Sequence, residues 1–287
     1  MIPYFRLTTI PLGPIQIQVW GLFVAAGILI ATLLGRRESR RRGLDPELFT
    51  DFACWTIVYA LISARLFYAV AYQPAAYLAD PLKLIRVWEG GMSSFGGFIG
   101  AAIGAAWFAK RMKMPFMSYA NVAAYVLPLG YGIGRIGCFL IHDHPGTLSH
   151  TFLSVRYPGG ARLDHGLLLS LLGFSIFAVF YFFNRNRFHT KREGRRGSES
   201  EFRSDPDSKL LIPNSSGHFL FLFMVLYGAA RFFLDFYRAW DLPGIDTRYF
   251  LLTPAQYGCL FFIAFGIWGI LHWRRTHSEF LFRLVCR

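Results

Sequence analysis

Long apolar runs alternate with short polar or charged segments along this chain of 287 residues. A helix needs about 20 predominantly apolar residues to cross the hydrocarbon core of a bilayer, and seven runs have that character. The predicted spans are residues 15–35, 52–72, 92–109, 119–141, 166–184, 217–237 and 255–273. The pattern therefore predicts an all-α polytopic membrane protein, with residues 1–287 forming a single domain built as a bundle of seven transmembrane helices.

Two of the connecting segments differ from the rest. Residues 142–165 contain Pro and Gly turn signals, which predict an outer loop or a small strand pair that caps the outer face. Residues 185–216 are polar and charged and lack apolar periodicity, so we expect a flexible cytoplasmic loop. The first apolar run lacks the basic flank and the small-residue cleavage site of a signal peptide, and we expect it to remain in the mature chain.

Composition supports a membrane protein and excludes an ordinary soluble domain, because 54% of the residues are hydrophobic and only 16% are charged. The net charge of +13 is unevenly distributed. Twenty Lys and Arg residues lie in segments on one side of the predicted spans, and seven lie on the other side. The positive-inside rule then predicts an outside N-terminus and a cytoplasmic C-terminus, with basic loops that contact anionic lipid rather than nucleic acid.

The four cysteines are scattered at positions 54, 138, 259 and 286, with no CxxC pair and no zinc-ligand spacing. The sequence therefore supports neither a disulfide framework nor a metal cluster, and we expect no metal or other cofactor.

Three arginines lie inside the predicted spans, at Arg65, Arg135 and Arg231. A guanidinium at the bilayer centre costs about 2.5–3.5 kcal/mol even on the lenient insertion scale, so such residues usually face a polar cavity. Arg135 lies in a glycine-rich run and has no acidic residue three or four positions away, which favours a lipid phosphate as its partner. For Arg231 an ion pair with Asp235, one helical turn later, is the alternative.

Two further groups of residues suggest anion binding or proton transfer. The start of the third span holds Ser93 and Ser94 among glycines, which indicates either a phosphate site at a helix N-terminus or a close helix crossing. His142, Asp143 and His144 follow the fourth span and offer either a general base or a hydrogen-bonded loop structure. Two histidines without a third ligand do not make a metal site.

Taken together and in order, these segments resemble the bacterial prolipoprotein diacylglyceryl transferases. The resemblance lies in residues 18–21, 63–68, 80–93, 134–137, 227–238 and 253–256. Its most recognisable part is Trp-Glu-Gly-Gly-Met-Ser at residues 88–93, together with Gly-Arg-Ile-Gly at residues 134–137. The ordered co-occurrence is specific, whereas each short motif alone is weak.

The resemblance implies an enzyme of the bacterial inner membrane that takes the diacylglyceryl group from phosphatidylglycerol, or another anionic phospholipid. Its acceptor would be the lipobox cysteine thiol of a prolipoprotein, and glycerol phosphate would be released. The predicted lipid-phosphate residues are Arg65, Ser93, Ser94, Gly134, Arg135, Gly137, Tyr227 and Arg231. Arginines would stabilise the charge on the phosphate leaving group, while a base activates the thiol.

The chain departs from the family pattern where proton transfer is concerned. Phe95 stands where family members carry a histidine, and a phenylalanine cannot accept a proton. We therefore predict that His142 or His144 supplies the catalytic base, with Asp143 or another carboxylate orienting the imidazole. The alternative hypothesis is a non-catalytic protein that binds or transports anionic phospholipid on the same fold.

Overall fold

The computed structural model of the protein describes residues 1–13, 15–86, 90–196, 218–242, 248 and 250–285. Its α-helices within these ranges are α1 (Val19–Arg41), α2 (Pro46–Ala71), α3 (Pro74–Ala79), α4 (Ser94–Arg111), α5 (Phe116–Ile141), α6 (His165–Arg196), α7 (His218–Leu234) and α8 (Pro254–Val285). Its strands are β1 (Thr9–Leu12), β2 (Ile15–Gln18), β3 (Pro145–Leu148), β4 (Ser154–Tyr157) and β5 (Gly160–Asp164). Short 3-10 turns follow α3 at Pro81–Leu84 and α7 at Asp235–Tyr237.

Six helices in the described part of the chain are long and apolar enough to cross a membrane. These segments are the whole of α1, α2 and α5, the first part of α6 and of α8, and α7 together with the turn that follows it. The predicted third span corresponds to α4, which has 18 residues and ends with Lys110 and Arg111. The prediction of a mainly helical polytopic membrane protein is confirmed, and a seventh span at α4 stays a prediction.

The chain divides into two compact units, and the single domain predicted from the sequence stays a prediction. The first unit comprises residues 1–34 and 120–287, and the second comprises residues 35–119. The apolar pattern marks each helix but carries no information on which helices pack together, and this is why the division is not predicted from it.

In the first unit, glycines let the helices approach one another closely. A Cβ added at Gly27 of α1 would lie 2.4 Å from the carbonyl oxygen of Gly130 in α5. On another side of α5, a Cβ at Gly173 of α6 would lie 2.8 Å from the Cα of Gly132. The Ser170 hydroxyl donates to the Gly132 carbonyl at 2.8 Å and adds a hydrogen bond to this crossing. Much of the glycine pattern in α5 therefore serves helix packing.

The first unit also holds a three-stranded antiparallel sheet in the order β3-β5-β4. The sequence predicts a loop or a strand pair in this segment, and the third strand is an addition. An isolated bridge joins Ile2 to Val155 of β4, and a second joins Gly146 of β3 to Arg238. Arg162 of β5 forms an ion pair with Asp241 at 2.5 Å, and this hydrogen bond lowers the pKa of the Asp241 carboxyl. These contacts tie the sheet to the N-terminal segment and to the chain after α7.

In the second unit, α4 packs against α2 through glycines four residues apart. A Cβ added at Gly100 would lie 2.3 Å from the carbonyl oxygen of Tyr59, and one at Gly104 would lie 2.6 Å from the Tyr59 Cβ. A Cβ at Gly96 would lie 2.7 Å from the Ser63 carbonyl oxygen. The glycine-rich start of the predicted third span therefore forms a helix crossing.

The structure also differs from the sequence-based prediction in the segment that follows the predicted fifth span. Helix α6 continues to Arg196, so residues 185–196 are helical where the sequence predicts a flexible loop. Straight-chain residues such as Lys, Arg and Glu have good helix propensity, and a polar composition alone does not end a helix. The rest of the predicted loop, residues 197–216, lies outside the described residues.

Candidate functional site

Arg231 lies near the end of α7 and is held from two sides through a single nitrogen. Its NH1 is 3.2 Å from Nε2 of His165 and 2.7 Å from Oδ1 of Asp235. The ion pair with Asp235, which the sequence offers as the alternative partner, is therefore present. Only 9% of Arg231 is exposed, and its Nε and NH2 have no hydrogen-bond partner among the described residues. A buried guanidinium with unused donors is suited to an anionic ligand.

Asp235 is itself fixed by the start of α8. The Thr253 hydroxyl donates a hydrogen bond to Oδ2 of Asp235. Gln256 closes the same turn, since its Oε1 accepts from the Thr253 backbone N–H at 2.9 Å. Asp235, Thr253 and Gln256 are almost completely buried. The carboxylate that holds Arg231 is therefore fixed in place by buried polar contacts.

Arg135 lies on α5 and is half-buried. Its guanidinium carbon is 5.1 Å from the centre of the Tyr131 ring, and its NH1 is 3.7 Å from Sγ of Cys138. Within the described residues Arg135 has no carboxylate at ion-pair distance. A cation–π contact leaves the positive charge uncompensated, which is the condition expected of a site for a phosphate.

Arg135 and Arg231 share neighbouring side chains that feel the positive charge of both. The Tyr227 hydroxyl donates to the Tyr131 hydroxyl at 3.2 Å, and the charges of Arg135 and Arg231 both act on Tyr227. Both charges also act on the imidazole of His165. Tyr227 and His165 are therefore common neighbours of Arg135 and Arg231, and a shared lipid-phosphate site at these residues stays a prediction.

The two glycines that flank Arg135 have different surroundings. A Cβ added at Gly137 would lie 3.0 Å from the Phe23 Cβ and 3.1 Å from the Trp20 Cα, so this glycine serves the crossing with α1. A Cβ at Gly134 would make only ordinary contacts, the nearest at 3.7 Å from Val24. A binding role for these two glycines stays a prediction, and helix packing accounts for Gly137 alone.

His142 is the first residue after α5, and its side chain is completely buried. Its φ of 52° lies in the left-handed region that favours glycine. Its Nδ1 is 2.7 Å from Oδ2 of Asp164, which also accepts a hydrogen bond from the Tyr157 hydroxyl at 2.5 Å. The Tyr4 ring stacks on the imidazole at 5.1 Å. Burial, and then the hydrogen bond to Asp164, raises the pKa of Tyr157 well above its usual value, which keeps the hydroxyl a donor.

His144 has a more open environment. Its Nδ1 lies 2.6 Å from Oδ1 of Asp143, and about a third of each side chain is exposed. Its backbone carbonyl accepts from the His165 N–H at 3.0 Å. The structure therefore pairs Asp143 with His144, while Asp164 orients His142. The Asp143–His144 pair is accessible to solvent, and the Asp164–His142 pair is completely buried.

Arg65 belongs to the second unit, and backbone carbonyls engage its guanidinium. NH1 donates to Gly91 at 2.9 Å and NH2 donates to Arg86 at 2.8 Å. Further bonds reach the carbonyls of Gly90, Lys83 and Leu84. Arg65 is buried, and its donors hold the segment between α3 and α4 in place. Its predicted role at the lipid phosphate is not supported by these contacts and stays a prediction.

Ser93, Ser94 and Phe95 form the beginning of α4. The Ser93 hydroxyl accepts from the Gly96 N–H at 3.3 Å and acts as the helix N-cap. The backbone of Ser94 is described but its side chain is not. The Phe95 ring is 61% exposed and lies 5.2 Å from the Phe67 ring. A phosphate-binding role for the two serines stays a prediction.

Two residues of the site were not among the predicted site residues. Asp164 and His165 are adjacent and come directly before the apolar run of α6, which is the only sequence signal that marks them. Their partners, His142 and Arg231, lie 22 and 66 residues away. In the described part of the chain, no group of three His, Cys, Asp or Glu side chains is placed to hold a metal ion.

A family profile described as prolipoprotein diacylglyceryl transferase matches residues 7–198 of this sequence, which hold Arg135, His142 and His144. The chain belongs to the prolipoprotein diacylglyceryl transferase family. The resemblance drawn from the short motifs is thereby confirmed.

Several relatives in this family match most of the chain. The phosphatidylglycerol–prolipoprotein diacylglyceryl transferase of Chromohalobacter salexigens is 32% identical over 236 residues, which cover 81% of this chain and 79% of the relative. The protein of the same name from Ectopseudomonas mendocina is 30% identical and covers 93% and 94% of the two chains. That of Lactiplantibacillus plantarum is 29% identical and covers 93% and 88%. The similarity therefore extends over almost the entire chain.

Proposed function

We propose that this protein transfers the diacylglyceryl group of phosphatidylglycerol to the lipobox cysteine thiol of a prolipoprotein. Membership of the family, whose relatives are named for this donor and acceptor, supports the proposal. The observation that carries it is the arginine pair. Arg231 and Arg135 bring two positive charges, and Asp235 compensates only one of them. The remaining charge favours an anionic headgroup.

In the proposed reaction the thiol first loses its proton to a base. The thiolate then attacks the carbon of the diacylglyceryl group that is bonded to the phosphate oxygen. A sulfur–carbon bond forms, the carbon–oxygen bond breaks, and glycerol phosphate leaves. Arg135 and Arg231 stabilise the charge on the departing phosphate oxygen. The Tyr227 hydroxyl, which both arginines influence, orients the headgroup.

We assign the base to His144 rather than His142. A general base must come within about 3 Å of the proton it accepts, directly or through one water molecule. The His142 side chain is buried beneath the Tyr4 ring, whereas a third of the His144 side chain is exposed and Oδ1 of Asp143 lies 2.6 Å from its Nδ1. Nε2 of His144 is then the acceptor, and this arrangement compensates for Phe95 at the family's histidine position.

We propose that the protein lies in the bacterial inner membrane and that the reaction takes place on its outer side. The N-terminus lies outside, α4 supplies the seventh span, and the C-terminus is cytoplasmic. In this arrangement the sheet of β3, β4 and β5 forms a small cap on the outer face. The excess of basic residues in the segments after α1, α4, α6 and α8 supports this orientation.

Incubation of the purified protein with phosphatidylglycerol vesicles and a lipobox peptide tests the proposed function. We expect the peptide mass to increase by one diacylglyceryl group and glycerol phosphate to be released in equal amount. A peptide with serine in place of the cysteine is the matched control, since an alcohol is a far weaker nucleophile than a thiolate. Binding of phosphatidylglycerol without any modified peptide would support the alternative function, a non-catalytic lipid-binding or transport protein.

A further inference from the structure

His165 is the first residue of α6, and its side chain faces Arg231. The imidazole is completely buried, and its Nε2 lies 3.2 Å from NH1 of Arg231. An arginine is always charged and only donates hydrogen bonds. Nε2 must therefore accept, so the ring is neutral and carries its proton on Nδ1. The tautomer of His165 follows from its partner.

The ring has one polar contact, through Nε2, and the backbone of His165 is held by hydrogen bonds of its own. Its N–H donates to the His144 carbonyl at 3.0 Å. Oδ1 of the preceding residue, Asp164, accepts from the Leu167 N–H at 3.0 Å and caps the first turn of α6. Because the start of the helix is held in place and the side chain is completely buried, the imidazole has little freedom to move away from Arg231. The contact with Arg231 therefore has a rigid support on the α6 side.

We infer that His165 is a positioning residue for Arg231 in the proposed lipid-phosphate site. His165 and Asp235 hold the same nitrogen, NH1, from two directions, so the planar guanidinium cannot rotate freely. Its Nε and NH2 have no hydrogen-bond partner among the described residues, and in the inferred role they donate to the phosphate oxygens. The inference rests on the proposed function, because it assigns that phosphate to Arg231.

A histidine is suited to this role because it is a neutral acceptor. A second carboxylate beside Arg231 would cancel the positive charge that attracts the phosphate. A neutral imidazole orients the guanidinium and leaves its charge intact. The charged groups that act on His165 are Arg231, Arg238 and Arg135, together with the titratable His144. These cations further disfavour a proton on Nε2.

The variants His165→Leu and His165→Gln test the inference. Leucine removes the acceptor, whereas the glutamine carbonyl oxygen can replace Nε2. We expect His165→Leu to raise the KM for phosphatidylglycerol by about tenfold or more, the cost of losing a hydrogen bond to a charged group. The kcat should change much less, and His165→Gln should restore most of the affinity. The matched control is His150→Leu, because His150 is exposed.

A second measurement separates this inference from the proposed function. Native mass spectrometry of the intact protein gives the amount of phosphatidylglycerol that stays bound to it. Reduced retention in His165→Leu that is rescued in His165→Gln supports the positioning role, whether or not the wild type transfers the lipid group. Equal retention and equal KM in wild type and His165→Leu would overturn it while leaving the transferase proposal intact. A wild type that neither binds nor transfers would overturn both.

Discussion

Nδ1 of His142 and Oδ2 of Asp164 lie 2.7 Å apart in a pair that solvent does not reach. The pair joins the end of α5 to the end of β5, and Tyr157 of β4 donates to the same carboxylate oxygen. Tyr4 closes it from the N-terminal segment. Through these contacts His142 and Asp164 connect the end of α5, the strands β4 and β5 and the N-terminal segment, and they therefore stabilise the fold. His142 is therefore better placed for a structural role than for contact with a thiol.

The variants His142→Ala and Asp164→Asn should both destabilise the protein. Each breaks a buried hydrogen bond to a charged group, which costs about 1.5–3 kcal/mol of unfolding free energy. The measurement is the midpoint of thermal unfolding in detergent, with His150→Ala as the exposed control in the same segment. Unchanged midpoints accompanied by loss of transfer would instead assign His142 to the chemistry.

The variant Arg135→Lys should weaken both phosphatidylglycerol binding and transfer, although it keeps the charge. Lysine presents a point charge and cannot make the two parallel hydrogen bonds of a guanidinium, so we expect a loss in kcat/KM of about tenfold or more. The matched control is Arg156→Lys, since Arg156 is exposed on β4. Wild-type kinetics in Arg135→Lys would remove bidentate phosphate contact from the mechanism.

The variant His144→Ala should lose transfer and keep phosphatidylglycerol binding, because the base acts on the thiol and not on the lipid. General acid–base catalysis is worth about 10²–10⁴-fold, which sets the expected loss in kcat. His150→Ala serves as the control. Adding Phe95→His should leave activity unchanged or raise it. Full activity of His144→Ala would exclude this residue as the base.

The variant Gly27→Ala should lower stability markedly, because its Cβ would meet the Gly130 carbonyl oxygen at 2.4 Å and force α1 and α5 apart. Overpacking of this kind costs about 1–3 kcal/mol. Gly21→Ala on the same helix is the matched control, since its nearest neighbour would be Gln18 at 3.9 Å. Equal thermal midpoints for the two variants would argue against a close crossing at Gly27.

The proposed orientation predicts that a cysteine introduced at position 200 reacts with a membrane-impermeant maleimide only after the cells are opened. Position 200 lies in the strongly basic segment that the positive-inside rule assigns to the cytoplasm. A cysteine at position 150, in the segment assigned to the outside, is the positive control and should react in intact cells. Ready labelling at position 200 in intact cells would reverse the orientation.

The sequence by itself determined the membrane class, the approximate positions of the helices and the family. Apolar runs of the right length leave little alternative to transmembrane helices, because unpaired backbone groups are costly in lipid. The ion pair between Arg231 and Asp235 was also predictable, since residues four apart share a helix face. The same spacing rule shows that Arg135 has no acidic partner three or four positions away on its own helix.

Only the tertiary structure decided that His142 is buried and His144 partly exposed, and that Asp164 contacts the first and Asp143 the second. Nothing local distinguishes His142 from His144, since both are next to Asp143. The division into two units, the carbonyl contacts of Arg65 and the pairing of His165 with Arg231 also depend on residues distant along the chain. Periodicity and spacing determine what a residue meets on its own helix, whereas contacts between elements depend on how those elements pack.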